Sequence, residues 1–212
     1  MKLTLPDGSI KKYDEPKSLY EIAEDISISL KKSSLAAKVN DSVFDMGRTI
    51  DKDAEIAFIT EKDPLALDIL RHSTAHLLAE AVKKLYPQAK FGVGPVIEEG
   101  FYYDIDLGDD VLVEEDLKII EKEMKKIASQ NAKIERSVLT YEKALEFFKD
   151  DPYKVELIKD LPKDEEISIY QQSHFTDLCR GPHLPGTKWI KNFKLLSLAG
   201  AYWRGDSNNK QL

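Results

Sequence analysis

Three of the four histidines and the only cysteine of this 212-residue chain fall into two short patterns. His72 and His76 stand four residues apart, so on a helix their rings project from one face, one turn apart. Cys179-Arg180-Gly181-Pro182-His183 holds a thiol and an imidazole in a stretch whose Gly and Pro indicate a tight loop, able to aim both at one point. Two imidazoles from a helix and a thiol plus imidazole from a loop make four nitrogen and sulfur donors, a plausible tetrahedral zinc set.

Each half also has a plainer explanation. The apolar stripe of the histidine helix is Leu70, Leu77, Leu78, Ala81, Val82 and Leu85. At about 100° per residue, His72 and His76 lie more than a third of a turn from its centre, so they are not expected in a core and could simply decorate a polar face. A lone cysteine is usually a small buried hydrophobe. His-x-x-x-His without the glutamate of the metalloprotease motif says little alone. The joint pattern is more specific than either half.

The elements that must position these groups fall into two units. Leu3–Leu5 and Ile10–Tyr13 flank the turn Pro6-Asp7-Gly8-Ser9 and predict a hairpin. Ser18 followed by Glu21 is a capping box that opens a helix from Leu19 to about Ile26. Strands are expected at Leu35–Val39 and Glu55–Thr60, with Asn40-Asp41 as the turn between them. Hairpin, helix and further strands are the order of a ubiquitin-like β-grasp. Glu61-Lys62-Asp63-Pro64 is a polar, proline-bearing joint, dividing the chain into domains 1–61 and 62–212.

In the second unit the spacing predicts a helix from Leu65 to Tyr86, stopped by Pro87, and strands and turns over 90–105. Acidic Glu114-Glu115-Asp116 opens another helix with Leu117, Ile120, Met124 and Ile127 on one stripe. Shorter helices are expected at Tyr141–Lys149 and Tyr153–Lys159, then short strands and loops. Pattern alone makes this domain α+β.

Composition narrows the function. The chain is 42% hydrophobic and 33% charged, enough for a core and a soluble surface. No apolar run approaches the length needed to cross a bilayer, and the start lacks a signal-peptide core, so a membrane partner is not expected. A single cysteine excludes an internal disulfide framework and fits a reducing cytoplasm. The net charge of −7 argues against a general nucleic-acid coat, so any RNA contact must use a local patch or another domain. Arg204-Gly205-Asp206 has the letters of an adhesion tripeptide, but in a chain of cytosolic character. The lysines between Lys118 and Lys133 alternate with glutamates, as on a solvated helix face.

Four strings carry a family resemblance. Arg71-His72-Ser73-Thr74-Ala75-His76-Leu77-Leu78 resembles the editing-domain helix of threonyl-tRNA synthetases. Gly92 to Asp104, Asp177 to His183 and Ala199 to Asp206 are similar to further strings of that family, and residues 1–61 resemble its β-grasp TGS domain. The whole chain is thus similar to the N-terminal part of bacterial threonyl-tRNA synthetases, TGS plus editing domain. The family's aminoacylation and anticodon-binding domains would follow Leu212; without them this chain is not expected to aminoacylate.

The resemblance implies proofreading. A site that accepts threonine cannot strongly exclude serine, one methyl smaller, because that difference is worth only about 1–3 kcal/mol. A second site must then hydrolyse the serine ester of mischarged tRNA(Thr) and reject threonine by size. His72, His76, Cys179 and His183 match the family's editing quartet, one or more imidazoles orienting water or relaying a proton. Cys179 as an acylating nucleophile is the less favoured route, and the terminal ribose hydroxyl could take part. By the same resemblance Lys154 stabilises the oxyanion or holds the attacking water, and Asp177 meets the substrate's ammonium or hydroxyl. Tyr103 lines the pocket, and Gly94 lets the terminal adenosine approach the backbone. No cofactor is required on this reading, although related alanyl-type editing domains carry zinc on a similar pattern. The partner implied is the acceptor end of tRNA(Thr) carrying serine. The isolated chain is expected to be a monomer, since the family dimerises mainly through the absent domain. The alternatives are a non-catalytic tRNA-binding fragment and a zinc-dependent hydrolase of the alanyl type.

Overall fold

The turn Pro6-Asp7-Gly8-Ser9 closes as its residues dictate: the Asp7 carboxylate accepts the Ser9 N–H at 2.9 Å, and Gly8 takes a φ of +81° that a side chain would resist. The computed structural model describes residues 1–212. The hairpin strands are β1 (Lys2–Thr4) and β2 (Ile10–Lys12), antiparallel, followed by the short β3 (Lys17–Ser18). Helix α1 (Leu19–Ile26) opens on the capping box: Ser18 N–H donates to Glu21 Oε2 at 2.8 Å, and Glu21 N–H donates to Ser18 Oγ at 3.3 Å. There follow α2 (Ile28–Ser33), β4 (Ser34–Val39), β5 (Ser42–Asp45), β6 (Thr49–Ile50) and β7 (Ala54–Thr60). The main sheet has the order β2-β1-β7-β4-β5, with β1 and β7 parallel and the other pairs antiparallel. Leu19, Ile22 and Ala23 of α1 pack against Leu3, Ala37, Val39 and Ile56 of this sheet, the β-grasp arrangement.

Two features depart from the expected pattern. The Asn40-Asp41 turn, with Asn40 at φ +52°, leads into β5 rather than towards β7. Helix α2 buries no residue fully, so it left no apolar periodicity to read.

The second unit is organised around α3 (Leu65–Leu85). Around it come β8 (Lys90–Phe91), β9 (Val96–Ile97), β10 (Gly100–Phe101), β11 (Ile105–Asp106) and α4 (Glu114–Ala128). The chain continues through β12 (Ile134–Leu139), α5 (Tyr141–Phe147), α6 (Pro152–Lys159), β13 (Ile167–Gln172) and β14 (Phe175–Leu178). Strands β12-β13-β14 form an antiparallel sheet. The whole is α+β. No helix is long and apolar enough to cross a membrane.

The expectation that both α3 histidines avoid the core is overturned for His76, which is only 4% exposed. Its neighbours from Ser73 to Val82 are all buried. The stripe argument assumes one covered face, but α3 packs against α4 on one side and against β9, β10 and β14 elsewhere. The main apolar core also crosses between the units: Leu35, Ala36 and Ile59 of the β-grasp sheet join Ala66, Ile69 and Leu77 of α3.

Burying α3 also buries Glu80, which accepts a hydrogen bond from Gln172 Nε2 at 2.8 Å. Burial raises its carboxyl pKa. A raised folded-state pKa gives stability that is full below the unfolded value, about 4.3, and is lost as pH rises through the folded value. Glu80→Gln removes that penalty while keeping an acceptor for Gln172. Its urea midpoint should match the wild type at pH 4 and exceed it at pH 8; a wild-type advantage at pH 8 would contradict this account.

Candidate functional site

The site forms where α3, the loop after β14 and the first turn of α6 meet. The Cys179 thiol is its centre. Sγ lies 3.1 Å from His72 Nε2 and 3.3 Å from His183 Nε2, and accepts the Gly181 N–H at 3.2 Å. His183 Nδ1 lies 3.1 Å from Ser73 Oγ, which itself accepts the Leu184 N–H at 3.0 Å. With that lone pair used, the Ser73 proton can point to His183 Nδ1, leaving His183 Nε2–H to face sulfur. His72 is backed by the Pro182 carbonyl. These partners fit one direction of donation, Ser73 to His183 to Cys179 to His72 Nε2. His76 completes the cluster, its ring centroid 4.2 Å from that of His183.

Beside the imidazoles lies a buried ion pair. Asp151 caps α6 by accepting the Tyr153 and Lys154 N–H groups, and its other oxygen accepts the Phe91 N–H at 3.1 Å. That ties the first turn of α6 to β8. Lys154 Nζ then meets Asp177 Oδ1 at 2.7 Å and donates to the Gly92 carbonyl at 2.8 Å. Alternation along β14 turns Asp177 inward with Phe175. Its second oxygen accepts the Tyr103 hydroxyl and lies 3.9 Å from His76 Nε2.

Burial sets the protonation states. It lowers His72, carries His76 down to about 3 and holds His183 well below the usual imidazole range. The same desolvation pushes the Cys179 thiol up to about 12 and raises Tyr103 well above an ordinary phenol. For Asp177 burial acts upward, but Lys154, His76 and Tyr103 outweigh it and hold the carboxylate charged. At neutral pH the site is therefore a cluster of uncharged imidazoles and a thiol beside one cation and one anion.

The same cluster could hold a metal. The donor atoms of His72, His76, Cys179 and His183 all lie within 4.8 Å of one another. Tetrahedral zinc has donor–donor edges of roughly 3.3–3.6 Å, so modest closure would suffice. Ser73 on the far nitrogen of His183 is the outer partner that such a ligand needs.

All the residues singled out from the sequence converge here except Gly94, which stands one residue layer away. A Cβ there would lie 2.5 Å from the Tyr103 ring, so Tyr103 takes the space a side chain at this position would need. Sequence reasoning missed Ser73, Tyr170 and Asp45. Ser73 lies within the recognised helix string, but only burial shows its role. Asp45 belongs to the other unit and carried no signal. Between the units a cleft of about 1350 Å³ reaches His183 and is lined by Lys31, Lys32, Arg48, Lys133, Arg136 and Lys188 against Glu24, Asp45 and Glu135. A net −7 chain thus carries a local basic patch.

Removing one partner of a buried ion pair strands the other charge. Lys154→Met should cost about 3–5 kcal/mol in urea unfolding, and adding Asp177→Asn should recover much of it. A single-variant loss below about 1 kcal/mol would mean that the pair is solvated.

Comparison with known proteins agrees with this architecture. The TGS domain family matches residues 1–60, and the family described as the threonyl and alanyl tRNA synthetase second additional domain matches residues 167–212. The chain is 52% identical to the threonine–tRNA ligase of Acholeplasma laidlawii and 53% identical to that of Staphylococcus carnosus, each over 212 residues. It is 53% identical to that of Anoxybacillus flavithermus over 214 residues. In each case all of this chain is covered, but only 33% of the relative's length. The chain therefore carries a TGS domain followed by the second additional domain of threonyl and alanyl tRNA synthetases, and matches the N-terminal third of bacterial threonine–tRNA ligases along its whole length.

Proposed function

We propose that this chain is the proofreading part of a cytoplasmic threonyl-tRNA synthetase, hydrolysing the ester of Ser-tRNA(Thr) and sparing Thr-tRNA(Thr). On this reading residues 1–61 are the TGS domain and 62–212 the deacylase domain. The observation that carries it is the contact of His72 and His183 with one thiol, with His76 and the buried Lys154–Asp177 pair beside them, in a chain that matches threonine–tRNA ligases.

Ester hydrolysis needs a base for water, donors for the oxyanion and a grip on the amino acid. His72 is the base: it is the one partly exposed imidazole of the cluster, and its Nε2 faces only a weak S–H donor. The chain through Cys179, His183 and Ser73 fixes its orientation. Lys154 supplies the positive charge for the oxyanion, and Asp177 receives the α-ammonium or the serine hydroxyl by exchanging one of its present partners. Tyr103 bounds the pocket and sets the size limit that excludes the extra methyl of threonine. Cys179 stays a thiol, with no cation within hydrogen-bond reach to favour the thiolate, so attack by water is favoured over an acyl-enzyme. The acceptor end of tRNA(Thr) approaches through the basic cleft, and the isolated chain is a monomer.

A second reading rests on the donor distances. His72, His76, Cys179 and His183 would hold a zinc ion, whose chemistry when bound is to acidify a coordinated water to a pKa near 7.

The test is release of serine from Ser-tRNA(Thr) against threonine from Thr-tRNA(Thr). Serine should leave faster by about 10-fold or more. His72→Ala should slow it by about 100-fold. Indifference to chelator supports the metal-free route, and loss with chelator, restored by zinc, selects the second reading. Absence of release at saturating tRNA would leave a binding module.

A further inference from the structure

The Cys179–His183 loop belongs to the second domain, yet its last residue is held by the first. Asp45 closes β5, where it pairs with Ala36 of β4. Both of its carboxylate oxygens reach across the cleft. Oδ1 accepts the backbone N–H of His183 at 2.7 Å, and Oδ2 accepts the Tyr170 hydroxyl at 2.7 Å. Tyr170, on β13, is 2% exposed, and its ring centroid lies 4.5 Å from that of His183. One carboxylate therefore anchors both the main chain of His183 and the aromatic wall against its ring.

The rest of the His183 environment makes this anchor necessary. Its ring is gripped through Ser73 and Cys179, so small shifts of its backbone pass directly into the hydrogen-bonded chain leading to His72. The His183 N–H lies in a buried residue, and its one hydrogen-bonded partner is Asp45. Without Asp45 that donor is left unpaired, which the loop can relieve only by moving. The shared apolar core of Leu35, Ala36 and Ile59 with α3 holds β4, and through it β5, at the reach the carboxylate needs.

We infer that Asp45 is a positioning residue, by which the first domain completes the hydrolytic site of the second. Its catalytic consequence rests on the hydrolytic reading above; the anchoring itself does not. Two measurements on the 212-residue chain separate them. The first is residue-resolved amide exchange. In Asp45→Ala the His183 amide should exchange about 10-fold faster or more, with the Leu77 and Val82 amides of α3 unchanged. The second is serine release. There kcat should fall about 10-fold with KM unchanged, and Asp45→Asn should restore both kcat and the protection of the His183 amide, because its amide oxygen can accept the same N–H.

If the wild type releases no serine, the hydrolytic reading fails, while exchange still decides the anchor. Unchanged exchange at His183 in Asp45→Ala overturns the inference. So does faster exchange with an unchanged kcat in a wild type that hydrolyses. Should Asp45→Ala also loosen Leu77, Asp45→Asn takes its place, since it keeps an acceptor for the His183 N–H. Wild-type protection at His183 in that variant supports the anchor, and a His183 amide as fast as in Asp45→Ala overturns it.

Discussion

Desolvation of α3 is the constraint on which the rest of the structure depends. A helix that carries His72, Ser73, His76 and Glu80 would ordinarily turn those residues to water. Here it is covered on several sides, and Ser73 to Val82 are buried without a break. Thr74 turns its hydroxyl back to the Leu70 carbonyl at 2.7 Å, but the other buried polar groups need partners from elsewhere in the chain. Ser73 finds His183 and the Leu184 N–H, Glu80 finds Gln172, and His76 stands beside Asp177. The partners come from β13, β14 and the loop that follows, so satisfying one helix's polar atoms assembles a site from distant segments.

The same desolvation shapes the chemistry. Burial favours neutral forms, so imidazoles that would be partly charged near neutrality in water are held as free bases, and the thiol stays protonated. Charge persists beside the imidazoles at the Lys154–Asp177 pair, where each ion is the other's compensation. A neutral base and a fixed cation within one pocket suit attack by water on an ester, where negative charge develops on oxygen. Long-range attraction for a polyanion comes from elsewhere. The basic residues of the cleft lie outside this buried shell, so on the proposed function capture and chemistry would be divided between surface and interior.

The two domains are less separate than their linker suggests. They share an apolar core and, through Asp45, a hydrogen-bonded carboxylate inside the site. A β-grasp unit with no catalytic constellation of its own thus contributes a side chain to the surroundings of His183.

Much of this protein is determined locally and is legible in its sequence. The Pro6–Ser9 turn, the Ser18/Glu21 capping box, α1 and the extent of α3 follow from short-range hydrogen bonding, turn chemistry and periodicity, which need no knowledge of distant residues. The His72, His76, Cys179 and His183 quartet was legible because its spacings lie within single elements. Lys154, Asp177 and Tyr103 were named only through resemblance, since a lone lysine, aspartate or tyrosine has no spacing to announce it. Tertiary structure alone decided that His76 is buried, that Tyr103 fills the space beside Gly94, and that Asp45 reaches His183 across 138 positions. The reason is physical: which face of a helix meets solvent, and which distant carboxylate meets an unpaired N–H, depend on what packs there, and packing is a property of the whole chain.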